Sequence, residues 1–225
     1  FLGGAIIRNR LFGFGSFEKQ TDVRPLTTFR ANTGGQPVAG QTTRVLASDL
    51  NTLSAFLKSK FNYDTGPFED IDRNTPGKPF LMKFDYNLGK SNKINFRYSR
   101  LDSSADKILS GSSSAGLGRA SGSGTSFLGF ASSNYSQLEN FQSGIAEWNS
   151  VLGTSISNSL IMGYTTNNED RAFPPTFPLV DILDAPGGTT YTSFGTDPFT
   201  PRNQLRYHTF QAQDSFTKFT LLAIV

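Results

Sequence analysis

The sequence contains no cysteine, which excludes disulfide bonds, thiolate metal sites and a cysteine nucleophile. Charged residues make up only 17% of it, and the net charge of +3 includes no basic block, so nothing indicates a nucleic-acid partner. Long hydrophobic runs are absent as well. The longest aliphatic run, residues 221–225, is far shorter than the roughly 18 residues of a membrane-spanning helix, but a spanning strand needs only about 9–11 alternating residues.

Residues that carry enzyme chemistry are equally scarce. His208 is the only histidine; it lies in a predicted strand, and no serine or aspartate is spaced to form a triad with it. Gly116 and Gly118 have the spacing of a phosphate-binding loop, but no strand precedes them and no helix follows. We therefore predict no enzymatic activity, no catalytic residue and no cofactor.

Acidic residues gather in one stretch, "YDTGPFEDID" (residues 63–72). Its carboxylates are Asp64, Glu69, Asp70 and Asp72. Oxygen-rich loops of this kind can hold calcium, but the spacing fits no recognised calcium loop. Solvated side chains are the simpler interpretation, so no metal site is predicted and calcium stays open as an alternative.

What the chain has in quantity is phenylalanine, 21 residues of it, together with glycine and the small polar residues of turns. This composition favours an all-β protein with long loops. In "FLMKFDYNL" Phe80, Met82 and Phe84 share one parity, whereas Lys83 and Asp85 share the other, and the pattern resumes beyond the next turn. One aromatic face and one hydrated face suit either a half-buried soluble sheet or the wall of a membrane pore.

The same alternation of apolar and polar residues, followed along the whole chain, predicts seven strands joined alternately by short and long connections. The predicted strands are residues 1–7, 11–21, 80–88, 94–101, 142–151, 156–166 and 205–218. The predicted long connections are residues 22–79, 102–141 and 167–204. Long loops are uncommon in soluble domains, whereas outer-membrane barrels combine short turns at one end with long extracellular loops at the other. The alternation therefore favours a pore wall, an antiparallel transmembrane β-barrel segment, and seven strands would leave that barrel incomplete.

Parity also predicts which side chains face one another. The predicted pairs are Phe84 with Tyr98, Tyr86 with Phe96, Trp148 with Leu160, and Ala146 with Met162. Pairs of this kind each stabilise a sheet by roughly 0.2–1 kcal/mol. Trp148, Tyr86, Tyr98 and Tyr164 are candidates for interfacial aromatic girdles, with packing inside a soluble sheet as the alternative.

The long connections have recognisable content. Ser48 and Asp49 resemble a helix N-cap and first turn, apolar residues follow at helical spacing, and the predicted helix ends near Asn62. Its apolar face is expected to pack on the rest of the loop. Residues 110–126 are Gly/Ser-rich and expected to be mobile, and the prolines of residues 173–182 exclude that segment from any central strand.

Several separated segments together resemble one family. "FLGGAIIRNRLFGFGSFE" (1–18) is similar to the hairpin that begins the barrel, just after the plug, in Oar-like TonB-dependent outer-membrane receptors. "DLNTLSAFLKSKFNYDTGPFEDID" (49–72) resembles that family's helical extracellular segment, and "FLMKFDYNLGKSNKINFRYSRLDSS" (80–104) resembles its next hairpin. The later strands and loops are similar in residues 146–171, 177–182 and 199–219. The resemblance covers nearly the whole chain, in the expected order.

The resemblance implies a protein of the cell outer membrane that transports a ligand through a 22-stranded barrel closed by an N-terminal plug. Transport would be driven by the TonB–ExbB–ExbD complex, and the barrel wall would contact outer-membrane lipid. Lys83, Asp85, Asn95 and Arg97 would face the lumen, where the plug would sit. Long loops would face outward and collect an extracellular ligand; sugars, peptides and metal chelates fit the composition about equally.

The chain departs from the family pattern in what it lacks, namely a signal peptide, a TonB box, a plug and a carboxypeptidase-regulatory-like extension. After Phe219, the residues "TLLAIV" (220–225) also lack the polar turn of a next hairpin. We therefore expect a fragment of the barrel domain. Seven strands cannot close a bacterial barrel, so the isolated piece is expected neither to transport nor to remain monomeric.

A second function stays open from the sequence. In a secreted or surface-exposed β-sheet adhesion module without transport activity, the aromatic face would pack on a second sheet instead of contacting lipid. The two hypotheses differ in what covers that face.

Overall fold

The structure is a computed structural model that describes residues 1–110, 124–174, 176–184 and 188–220. The chain is mostly β-structure, with 58% of residues in strands, and the described residues include one short α-helix. The helix is α1 (Ala47–Phe61). In chain order the strands are β1 (Leu2–Ile7), β2 (Leu11–Phe17), β3 (Gln20–Pro25), β4 (Arg30–Asn32), β5 (Thr42–Leu46), β6 (Asp72–Leu88), β7 (Asn92–Lys107), β8 (Tyr135–Leu152), β9 (Ile156–Ala172), β10 (Val180–Leu183), β11 (Thr190–Phe194) and β12 (Leu205–Lys218).

One antiparallel sheet dominates the molecule. Its order is β1-β2-β6-β7-β8-β9-β12, and β3 pairs with the first part of β6. The sheet is open, with β1 and β12 at its two edges. The prediction of an all-β chain built on an incomplete antiparallel sheet is confirmed at this level. Two small two-stranded sheets, β4-β5 and β10-β11, lie in the long connections.

The predicted strand 11–21 forms two pieces, β2 and β3. Both pair with β6 in one continuous register, since Phe17 lies opposite Phe80 and Gln20 lies opposite Gly77. The break falls where Glu18 faces Pro79, which has no backbone N–H to donate. The Glu18 N–H still donates to the Pro79 carbonyl oxygen at 3.0 Å, so β2 and β3 act as one interrupted strand.

Four predicted strands were too short. The predicted ranges 80–88, 94–101, 142–151 and 156–166 correspond to β6, β7, β8 and β9, each of which extends further toward the long connections. The predicted long connections were correspondingly too long, namely 22–79, 102–141 and 167–204. The segments that lie between the strands of the main sheet are residues 26–71, 108–134 and 173–204. The added segments are mostly polar: for example, Asn140 lies opposite Asn168 and Glu139 lies opposite Glu169. Such segments lack the apolar alternation by which strands are recognised.

The predicted pairings were correct on one hairpin and wrong on the other. Trp148 lies opposite Leu160 and Ala146 opposite Met162, as predicted. Phe84, however, lies opposite Phe96 instead of Tyr98, and Tyr86 lies opposite Ile94 instead of Phe96. The reason is the turn, which is three residues long (89–91) and begins at Gly89 with a φ of +71°, in the left-handed region that favours glycine. A shift of two residues leaves every side chain on its predicted face.

The hydrophobic core lies outside the main sheet. We use the name loop module for the described parts of residues 26–71, 124–134 and 173–204. Its buried apolar residues are Ala31, Val45, Leu50, Leu57, Leu128, Phe130 and Phe194. These come from all three long connections, so the connections fold together into one packed unit instead of forming separate loops.

The helix of the first connection lies within this core. Helix α1 begins at Ala47 with Leu46 at the N-cap position, so Ser48 is inside the first turn and is not the cap that was predicted. It ends as predicted, because Asn62 adopts a left-handed conformation with φ of +50° and closes the last turn. Leu50 and Leu57 are buried, which confirms that the apolar face packs within the loop module.

Candidate functional site

The two faces of the main sheet differ in the half next to the short turns. Directly opposite residues share a face, so rows of side chains can be followed across the strands. The aromatic face carries the row Phe84, Phe96, Ala146, Met162 and Ala212 and the row Met82, Tyr98, Gly144, Tyr164 and Phe210. Large apolar side chains on this face are exposed, among them Met162 at 45% and Phe210 at 68%.

The opposite face of the same half is the polar face. Lys83, Asp85, Asn95 and Arg97 lie on it together, as the alternation predicts. Lys83 Nζ lies 3.1 Å from Asp85 Oδ2, and Asn95 Nδ2 donates to Glu147 Oε2 at 3.4 Å.

Two aromatic residues depart from the polar character of this face, and sequence reasoning missed them. Phe12 lies opposite Asp85 and Phe14 opposite Lys83, and each of these residues is 37% exposed.

The candidate girdle residues all lie on the aromatic face, at different heights. Trp148, close to the short turns, is 47% exposed and its indole Nε1–H donates to Asn92 Oδ1 at 3.0 Å. Tyr98, further toward the loop module, donates its hydroxyl hydrogen to Gln142 Oε1 at 3.1 Å. Tyr164 stacks on His208 with ring centroids 6.0 Å apart. An aromatic ring with a polar tip suits a boundary between apolar and aqueous surroundings.

Arg44 of β5 joins all three long connections. Its guanidinium pairs with the Asp184 carboxylate, donates to Thr189 Oγ1 at 2.7 Å, and donates through Nε to the Ser126 carbonyl oxygen at 2.7 Å. It also lies over the Tyr191 ring, 5.5 Å from the centroid. No sequence motif marks Arg44, because its partners are 82 to 145 residues away along the chain.

Tyr191 connects the same region to helix α1. Its hydroxyl accepts from the Leu46 backbone N–H at 2.6 Å and donates to Asp49 Oδ2 at 2.9 Å. Burial raises the pKa of the Tyr191 phenol above its ordinary 10.0, and the neighbouring Asp49 carboxylate acts in the same direction. The phenol therefore stays protonated at neutral pH and bridges the helix start to β11.

The acidic stretch does not converge on one point. Asp70 pairs with Arg30 through two hydrogen bonds of 2.6 and 3.0 Å, and this partner holds the pKa of the Asp70 carboxyl below its usual range. Glu69 accepts from the Ala31 backbone N–H and Asp64 accepts from the Gly66 N–H. Within the described part of the chain, no three acidic or histidine side chains are grouped to hold a metal ion. The structure thus gives Asp64, Glu69 and Asp70 hydrogen-bond partners within the loop module, whereas Asp72 is the first residue of β6.

Two sequence candidates remain, His208 and the glycine pair Gly116 and Gly118. His208 is on β12, opposite Thr166, and its ring contacts Tyr164. Gly116 and Gly118 lie in residues 111–123, outside the described residues, as does most of the Gly/Ser-rich segment 110–126. Residues 221–225 of the C-terminal "TLLAIV" also lie outside them.

Two cavities adjoin each other at the base of the loop module. The first has a volume of about 310 Å³ and includes the apolar side chains Leu26, Phe29, Ile71, Ile108, Leu109 and Phe127 in its lining. The second, of about 350 Å³, is lined in part by Asp72, Asp106, Tyr135 and Phe173. Both are lined by Leu26, Ile71 and Asn134. Volumes near 300 Å³ are at the small end of the range for ligand pockets, which makes this region the candidate ligand site.

No helix of the described residues is long and apolar enough to cross a membrane. The chain matches no protein-family model, no curated protein and no solved structure. The functional argument therefore rests on the residues and on the geometry of the chain itself.

Proposed function

We propose that the chain is part of a TonB-dependent transporter of the bacterial outer membrane, with the aromatic face in lipid and the loop module outside the cell. The observation that carries this proposal is the position of the apolar side chains. Most of them are exposed on one face of an open sheet, with Phe12 and Phe14 exposed on the other, while the packed core belongs to the connections at the far end of the strands.

Strand length supports the same proposal. The apolar alternation of β6 covers Phe80–Leu88, about nine residues, which is the length that a tilted strand needs to cross a bilayer. The other half of β6, residues 72–79, continues beyond this segment to Asp72 and is polar on both faces. This second half would stand in water beyond the membrane and hold the loop module away from its surface.

The proposal assigns a role to each part. The polar face would line the lumen against the plug domain, and the TonB–ExbB–ExbD complex would act on the complete receptor. The cavities at the base of the loop module would receive part of an extracellular ligand. The proposed role is transport, with no enzymatic step.

The rival function, a surface-exposed adhesion module, requires a second layer on the aromatic face. Among the described residues no element packs on Met162, Tyr164 or Phe210, which are 45%, 52% and 68% exposed. This favours lipid over a second sheet as the proposed contact, because such a large exposed apolar surface is unfavourable in water.

The single tryptophan provides a direct test. Trp148 lies on the aromatic face, so in vesicles its fluorescence should be quenched by lipids brominated on their acyl chains and protected from a water-soluble quencher. The matched control moves the indole to the neighbouring position of the other face, as the double variant W148F/N149W. In that variant the lipid quenching should fall and the aqueous quenching should rise. A Trp148 signal that only the aqueous quencher reduces would refute a lipid contact for this face.

A further inference from the structure

The end of the sheet that carries the short turns is strongly basic. We use the name turn end for the turns 8–10, 89–91 and 153–155 and for the strand residues that lie between these turns and the row of Trp148, with that row itself excluded. The cations of the turn end are Arg8, Arg10, Lys90, Lys93 and Lys218, and all five are exposed. The first two turns lie side by side, because the Asn87 N–H donates to the Arg10 carbonyl oxygen at 2.7 Å.

No carboxylate balances these cations. The described residues of the turn end include no Asp or Glu, and none of the five cations forms an ion pair in the described part of the chain. The nearest carboxylate is Asp214, which is in the row of Trp148, opposite Leu160, and accepts from Asn158. Asp85 and Glu147 are one row further along the strands, where Lys83 and Asn95 contact them.

The charge of the whole chain is therefore unevenly distributed. The chain has 21 basic and 18 acidic residues. Five of the basic residues belong to the turn end and no acidic residue does, so the turn end is +5. The other 16 basic and 18 acidic residues give a net charge of −2. A positive surface along one end of a nearly neutral protein indicates a negatively charged partner at that end.

The aromatic face begins directly beside these cations. Trp148 and Tyr86 are in the row that borders the turn end, Leu88 is beside turn 89–91, and Phe216 of β12 is two residues from Lys218. A partner that satisfies both surfaces must present negative charge immediately next to apolar chains. An anionic phospholipid in a bilayer does so, since its phosphate headgroup adjoins its acyl chains.

We infer that the turn end binds the headgroups of anionic phospholipids in the membrane leaflet on its side. The inference rests on the proposed membrane location and adds a lipid preference to it. Arg8, Arg10, Lys90 and Lys93 contact the headgroup phosphates, while the adjoining indole and tyrosine rings lie at the level of the glycerol backbone. An acidic protein surface would bind the cations without involving the aromatic face, and the experiment separates the two.

The expected size of the effect follows from the number of cations. Each Lys or Arg near an anionic membrane surface strengthens binding by about fivefold. Removing four of them should lower the partition coefficient into anionic vesicles by well over tenfold. The same removal should change partition into neutral vesicles little, because no attraction of this kind exists there. The preference should also weaken as salt is added.

The experiment measures partition of the chain from urea into vesicles of phosphatidylcholine, or of phosphatidylcholine mixed with phosphatidylglycerol, through Trp148 fluorescence. The turn-end variant is R8Q/R10Q/K90Q/K93Q. The matched control removes four exposed cations far from the turn end and without ion pairs, as K19Q/K58Q/K60Q/R73Q. The preference of the unaltered chain for anionic vesicles should be lost in the turn-end variant and kept in the control variant.

The outcomes distinguish this inference from the proposed function. Equal partition of the unaltered chain into both kinds of vesicle, or an equal loss in both variants, would overturn the lipid preference and leave the membrane location standing. Failure to enter even neutral vesicles would overturn both. Free inorganic phosphate at the concentration of the lipid headgroups should not compete, and an equal effect of free phosphate would overturn binding of headgroups held in a bilayer.

Discussion

Replacing Phe210 by Arg should impair membrane insertion, whereas the same replacement of its neighbour Gln211 should not. Phe210 is on the aromatic face of β12, opposite Tyr164, and is 68% exposed. Gln211 is also exposed, but it is on the polar face, opposite Gly163. The two variants add the same side chain at the same height and differ only in the face that carries it.

The magnitude follows from the height of Phe210 on the sheet. The apolar segment of β6 runs from Phe80 to Leu88 and is centred on Phe84, and Phe210 is in the row of Met82, one pleat from that centre. A cation on the lipid face destabilises a barrel by about 2–4 kcal/mol at the midplane and by less toward the interfaces. We therefore expect about 2 kcal/mol for F210R, a reduction of about thirtyfold in the insertion equilibrium.

The assay is urea-dependent release of each variant from neutral vesicles, followed by Trp148 fluorescence. F210R should be released at a lower urea concentration than the unaltered chain, and Q211R should be released at nearly the same concentration. A soluble sheet predicts a different result, since a surface substitution at a largely exposed position changes stability by only about 0.5 kcal/mol. Equal behaviour of F210R and Q211R would refute the assignment of lipid to the aromatic face.

Three further predictions concern the loop module. Leu50 is fully buried, so L50A should destabilise the module by about 2–5 kcal/mol, seen as faster amide exchange in α1 and β11 while the exchange of β8 is unchanged. R44Q should also speed exchange in β5 and β11, because it breaks a charged hydrogen-bond network worth about 1.5–3 kcal/mol, whereas R30Q, which breaks a solvent-exposed pair, should have little effect. Y191F should cost about 1–3 kcal/mol by leaving the Leu46 N–H unpaired. Because the pKa of the Tyr191 phenol is raised, its contribution to the free energy of unfolding is complete below its ordinary 10.0 and is lost as the pH rises above that value. The free energy of unfolding, measured by denaturant titration, should therefore fall less steeply in alkali for Y191F than for the unaltered chain.

The sequence by itself determined all of β12 and the half of β6, β7, β8 and β9 that lies next to the turns. There one face must be apolar and the other polar, so side-chain parity in residues 80–88, 142–151 and 205–218 marks both the strand and its faces. The short turns follow from the same pattern, because parity must agree across them. Helix α1 was predictable in the same way, since its buried leucines recur at the helical period.

Tertiary structure alone decided the other half. Residues 72–79 and 135–141 are strands only because neighbouring strands supply their hydrogen bonds, and their local sequence does not alternate between apolar and polar residues. The packing of three distant connections into one module was equally hidden, because Arg44 finds its partners more than 80 residues away. The local period of apolar residues indicates which side of a strand is apolar, so it could be predicted from the sequence. Pairing between distant segments has no local sequence pattern, so only the tertiary structure showed it.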